Sequence, residues 1–267
     1  MVNMNYVIIN SKFRTDNNDS TSNFTYRLGD PIEVSDVAIK SVSIVNAEYN
    51  IKAGSNKLIV NDGIADTTLT VPVGQYDITA LLTVVKNYLD ATYGGVNTLT
   101  LEPITNKVKF VTTTALRYGT DPVTSPVGFI LGFGDTPNAY YSPTGVSNIV
   151  NAPYLPNLQG SNNFHIVSNT LASGQGSLLK NNEKRSIILS VPVTEDFGNV
   201  INYEVNEINL NKRHFARPQN IQDIDIRIID DDNQVVNLNG TNVEIVLQVV
   251  IASTLPYATE GDRMGYQ

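Results

Sequence analysis

Histidine is the side chain that most often supplies a base near neutral pH, and the 267-residue sequence holds two, His165 and His214. Neither sits in a nucleophile-elbow or related motif that would bring a serine within its reach. His165 lies in the stretch FHIVS, where strand alternation puts it on the face opposite Phe164 and Ile166. That is a structural or surface position. No cysteine is present, which removes cysteine nucleophiles, thiolate zinc sites and disulfide scaffolds.

Acidic residues offer two further chemistries. The run Asp230-Asp231-Asp232 could supply oxygen ligands to a hard cation such as Ca²⁺. It has no glycine at the sixth position and no glutamate at the twelfth of an EF-hand loop, so we read it as a solvated turn between strands. Asp223 and Asp225 share one face of a strand, about 6.6 Å apart along the chain, a spacing a glycosidase could use. Arg227 continues that face and would neutralise it. Gly132-Phe133-Gly134-Asp135 is half a glycine-rich phosphate loop, yet no Lys-Ser/Thr follows and no βαβ pattern surrounds it, so it reads as a turn. The one basic cluster is Lys212-Arg213-His214-Phe215-Ala216-Arg217. Three permanent cations are thin for nucleic acid and fit better at the rim of a contact with an acidic partner. Lys212, Arg213, Phe215 and Arg217 are therefore interface candidates. Tyr257, in a C-terminal tail able to dock on a neighbour, joins them.

The composition agrees with a chain that binds or builds rather than catalyses. Asp and Glu number 26 against 18 Lys and Arg, a net charge of -8 and a sequence pI near 4.7. This argues against wrapping a phosphate backbone or lying on an anionic membrane. The opening MVNMNYVIINSKFRT lacks an apolar run of signal-peptide length, so no secretory signal is expected, and no run is long enough to span a bilayer. We expect no cofactor and no enzymatic activity.

Positioning falls to strands. Val and Ile number 53, Thr 24 and Asn 32, a surplus that suits pleated surfaces joined by turns. Short apolar runs are expected as strands at 6–10, 24–28, 37–47, 57–60, 67–71, 98–101, 107–113, 164–168, 186–193, 201–205, 221–229 and 243–252. The last has apolar residues in both alternating sets and reads as a central strand covered on both faces. One segment breaks the pattern: Ile78, Leu81, Leu82, Val85, Tyr88 and Leu89 share a helical face, with Asp77 as N-cap and Gly94 just past the end. From Gly119 to Gly160 the chain is rich in Gly, Pro, Asn, Ser and Tyr and reads as a long irregular connection, functional or ordered by a partner.

Several stretches together resemble the penton, or minor capsid, proteins at the vertices of virophages and polinton-like double-stranded DNA viruses. They are YVIINSKFRTDNNDSTSNFTYRLGDPI; VAIKSVSIVNAEYNI with NKLIV and VPVGQYDITALLTVVKNYL; LGF at 131–133; and IDIRIIDDDNQVVNLNGTNVEIVLQVV. The resemblance spans most of the chain. It implies a single jelly roll, an eight-stranded antiparallel sandwich, assembled as a homopentamer at a five-fold vertex and surrounded by major capsid protein. Such a protein would be part of the virion, assembled inside the host cell. On this reading the jelly roll is discontinuous, about 1–50 and 154–253. An insertion at 51–153 carries helix 77–93 over two hairpins and is free to meet a host-surface receptor; a tail follows at 254–267. A second reading, from another class, is a carbohydrate-binding jelly-roll module using Tyr140, Tyr141 and Tyr154 as stacking faces.

Overall fold

The computed structural model describes residues 3–16, 19–142, 148–172, 177–178, 184–206 and 212–252. The chain is all-β in class and forms two compact units, Met1–Ala47 with Ser161–Gln267, and Glu48–Gly160. The first unit opens with β1 (Asn3–Asn10), a 3-10 turn (Ser11–Phe13) and β2 (Asn23–Val45). The second unit holds β3 (Lys57–Asn61), β4 (Asp66–Thr70), α1 (Ile78–Tyr93), β5 (Thr98–Leu101), β6 (Val108–Val111), β7 (Arg117–Gly119), α2 (Pro126–Ile130), β8 (Tyr140–Tyr141) and β9 (Ile149–Asn151). The chain then returns to the first unit with β10 (Asn163–Val167), β11 (Ser177–Leu178), β12 (Lys184–Arg185), β13 (Ile187–Pro192), β14 (Val200–Glu204), β15 (Arg213–Ile229) and β16 (Val243–Ile251).

The register of the first unit is that of a jelly roll. The C-terminal half of β2 pairs with β16 from Val34 to Ile44 and with β14 from Ser41 to Val45, while β1 lines the far side of β16. That gives one sheet in the order β1-β16-β2-β14. The N-terminal half of β2 pairs with β15 from Asn23 to Ile32, and β10 and β13 follow, giving the second sheet β2-β15-β10-β13. All ladders are antiparallel. Alternation explains the core between the sheets: Ile224, Ile226 and Ile228 of β15 and Val243, Ile245, Leu247 and Val249 of β16 all point into it.

Three sequence expectations change here. Residues 24–28 and 37–47 form one strand rather than two, and the strand expected at 221–229 begins at Arg213, taking in most of the basic cluster. Proline lacks the amide a ladder needs, and each of these strands contains one, Pro31 in β2 and Pro218 in β15. Both fall where the β2–β15 register jumps, from Arg27–Asp223 to Ile32–Ile221 and from Val34–Gln219 to Asp36–His214. Such bulges absorb the prolines and bend the strands from one sheet into the other. The third change concerns β16, which is central between β1 and β2 but buries only one face in the core. On the other face Glu244 is exposed and Val246 and Val250 are half-buried.

In the second unit α1 forms as its periodicity requires. Asp77 Oδ1 accepts from Ala80 N at 2.7 Å, and Leu81, Leu82, Val85 and Leu89 are buried against β3, β4 and the β5–β6 hairpin in one core. The expected irregular connection after Gly119 is instead built into that core, apart from 143–147, which lie outside the described residues. Val127, Leu131, Phe133, Val150 and Ala152 are buried. The glycines that made this region look like a loop serve close packing: a Cβ at Gly132, whose φ is 85°, would stand 2.4 Å from the Tyr154 carbonyl oxygen.

Candidate assembly surfaces and polar sites

The Asp-rich turn closes the end of β15 and directs its carboxylates to backbone donors. Asp230 is buried, and its Oδ1 accepts from Asp232 N at 3.0 Å and Gln234 N at 2.8 Å. Asp231 reaches across to the start of β10, accepting from Asn162 N at 2.8 Å, Asn163 N at 3.2 Å and Asn163 Nδ2 at 3.1 Å. Burial pushes the Asp231 carboxyl up, but those donors together outweigh it and hold the group below the ordinary aspartate range. Among the described residues no three His, Asp or Glu side chains converge as metal ligands. The turn is a clamp between two strands.

The same clamp produces a constellation the sequence did not reveal. His165 and Ser190 are directly opposed on β10 and β13, with His165 Nδ1 2.8 Å from Ser190 Oγ and Nε2 3.2 Å from Asp231 Oδ1. Serine, histidine and aspartate are thus in line, although 25 and 66 residues separate the histidine from its partners. Ser190 lies within a strand, not on a sharp strand-to-helix turn with amides aimed at a developing oxyanion. The chemistry available to the line is that of a polar cross-strand pair anchored by an ionised carboxylate.

Asp223 and Asp225 do separate work. Asp223 pairs with Arg27 at 3.4 Å across the β2–β15 ladder. Asp225 turns toward the chain after β10, accepting from Thr170 N at 2.8 Å, Asn169 N at 2.9 Å and Ser168 Oγ at 3.1 Å. Burial raises the Asp225 pKa, and its hydrogen bonds from Thr170, Asn169 and Ser168 lower it further than that, leaving it depressed. A glycosidase acid needs the opposite shift. The depression beside it, lined by Asp19, Asn23, Phe24, Thr25, Ile226 and Arg227, holds about 180 Å³, below the size of a typical small-molecule site.

The basic cluster divides by strand alternation. Phe215 lies in the core and Arg213 is 9% exposed, its Nη2 donating to the Ile187 carbonyl at 2.6 Å. His214 points outward, with Nδ1 2.8 Å from Asp36 Oδ1. Only Lys212 and Arg217 of the four candidates reach the surface, so a rim contact would fall to them. Tyr257 lies outside the described residues. The three tyrosines considered for stacking are also divided. Tyr140 OH donates to Asp66 Oδ2 at 2.6 Å, and Tyr141 stacks on Phe133 at 5.9 Å between centroids. Tyr154 alone is left largely exposed, at 62%. The glycine-rich fragment is a turn whose Phe133 packs with Phe110 and Tyr118. Among the described residues no helix is long and apolar enough to cross a membrane.

No protein-family model and no curated protein matches the chain. Among solved structures, the crystal structure of the mavirus penton protein is similar in fold. It aligns at a TM-score of 0.51 and 12% identity over 93% of this chain and 100% of that one. The likeness therefore runs through both units, the jelly roll and the region inserted between β2 and β10.

Proposed function

We propose that this chain is a structural capsid protein that forms the five-fold vertices of an icosahedral virus particle as a homopentamer, without catalytic activity. The observation that carries this reading is the full-length likeness in fold to the mavirus penton protein. The polar sites agree with it, because the ionised Asp225 and Asp231 are engaged in joining strands. On this reading the partners are further copies of the chain and a major capsid protein, and the location is the virion. Unit Glu48–Gly160 would be a separately cored insertion in the jelly roll's sequence, available to a host surface. Native mass measurement of the purified chain, combined with imaging of particles carrying a labelled copy, tests the reading. Pentamers located at the vertices are expected. Any other location, or a chain that stays monomeric during particle assembly, would refute it.

A further inference from the structure

An open strand edge is a template for association, and proteins usually blunt it with charge, proline or a bulge. Among the described residues the two sheets of the first unit have four open edges: β1, β14, β13 and the N-terminal half of β2. Two are blunted. The β2 half carries Arg27, Gly29, Asp30 and Pro31, and β13 ends in Pro192. The other two are not. β1 runs for 8 residues, NMNYVIIN, with neither charge nor proline, and β14, VINYE, has only Glu204 at its end.

Both unblunted edges belong to the same sheet, at its opposite sides. Both turn apolar side chains to solvent: Met4 51%, Tyr6 57% and Ile8 57% on β1, and Val200 46% on β14, where Asn202 and Glu204 are exposed beside it. Their directions also match. Each step from β1 to β16 to β2 to β14 is antiparallel, so β1 and β14 run in opposite senses. Two copies related by rotation about a common axis can therefore place β14 of one antiparallel beside β1 of the next.

We propose that β1 of one copy pairs with β14 of its neighbour, so that the sheet continues from subunit to subunit in a head-to-tail ring. One register satisfies both faces. With Ile8 opposite Val200, Tyr6 meets Asn202 and Met4 meets Glu204, all six outward-facing, while Ile9 and Ile201 stay in their own cores. Lys12, in the turn after β1, and Asp196, in the turn before β14, are both exposed and lie at the same end of this pairing, so opposite charges flank it. A head-to-tail contact uses two different patches and closes only if the rotation fits; that the ring has five members rests on the capsid reading above.

The absence of cysteine makes the test direct. The full chain is prepared with Ile8→Cys and Val200→Cys together, with each alone, and with the second pair Tyr6→Cys and Asn202→Cys. Within one chain the paired positions lie on opposite sides of a four-stranded sheet, at least about 14 Å apart at ~4.8 Å per strand, beyond the reach of a disulfide at about 7 Å. After mild oxidation at assembly concentration, both double variants should give a reducible ladder of covalent multimers, with at least a ten-fold loss of monomer on a denaturing gel. The single variants should remain monomeric on the same gel. Covalent dimers from Ile8→Cys alone would overturn the proposal in favour of a like-with-like contact. Failure of both double variants to cross-link would overturn it too, whether or not the chain assembles. Native mass separates the two readings: pentamers without a ladder sink the edge pairing and leave the capsid reading, and a ladder in rings of another size does the reverse.

Discussion

Gly128 lies inside α2, where helix propensity alone favours alanine over glycine by about 1 kcal/mol. Packing gives the opposite sign. A Cβ at Gly128 would stand 2.0 Å from the Gly119 carbonyl oxygen and 3.2 Å from Ser125 Oγ. The first obstacle is backbone, at the end of β7, and that backbone is itself close-packed: a Cβ on Gly119 would meet Ser125 Cβ at 2.9 Å and Ile59 Cβ at 3.2 Å. Relief requires a movement of more than an ångström in a strand that pairs with β3 and β8. Overpacking of this kind costs about 1–3 kcal/mol. We take the upper end because the clash cannot be met by a side-chain rotation, and after the propensity gain the net loss is about 2 kcal/mol. For a unit of this size that corresponds to a fall in melting temperature of roughly 8 °C. Near-ultraviolet circular dichroism is the assay, since the chain has no tryptophan and Tyr118 and Tyr141 sit in the core with Phe110 and Phe133. Gly29→Ala is the control: nothing lies within 4 Å of its added carbon and its φ is not positive, so stability should hold or rise by about 0.5 kcal/mol. A Gly128→Ala chain that melts at or above the unsubstituted protein would refute the reasoning.

Phe215→Ala should destabilise the first unit by about 3–5 kcal/mol, and Lys212→Ala should stay within about 0.5 kcal/mol; urea titration distinguishes them. Asp77→Ala removes the cap of α1 and should cost about 1 kcal/mol, read as faster hydrogen exchange over 78–82. Asp225 and Asp231 have folded pKa values below the ordinary 3.8. Their contribution is therefore fully present above that value and is lost as pH falls through the lower folded values. The urea midpoint should drop as pH falls through and below the ordinary aspartate value of 3.8, and Asp225→Asn should flatten the drop; an unchanged slope would contradict it.

Much of the fold was legible because two periods carry it. The Ile224, Ile226 and Ile228 alternation and the Leu81, Leu82, Val85 and Leu89 face each name the side that meets a core. The full lengths of β2 and β15 were not legible, because a proline in a strand is normally a break and only pairing register shows that Pro31 and Pro218 sit at bulges. The glycines at 128 and 132 misled in the same way: a residue chosen for close approach of two backbones looks, in one dimension, like a flexible link. The basic cluster had no period to read. β15 buries Arg213 and Phe215 but leaves Arg217, of the same parity, exposed, because the bulge between His214 and Gln219 interrupts the alternation. The His165, Ser190 and Asp231 line had no local signal, since its members meet only through the β10–β13 ladder and the turn after β15.

Long-range pairing also bears on how the jelly roll forms. β2 finds its partners β14, β15 and β16 only after the chain has passed through residues 48–160. As an open loop that stretch imposes a closure entropy that grows with the logarithm of its length. The second unit removes most of it by folding. Asn50 Nδ2 donates to the Leu158 carbonyl at 3.1 Å and to the Tyr76 carbonyl at 2.8 Å, so the entry and exit of the insertion are tied together at the start of α1. Shrinking an effective loop of more than a hundred residues to a few lowers the closure term by about 3 kcal/mol. A folded insertion thus acts on the jelly roll as a short turn would.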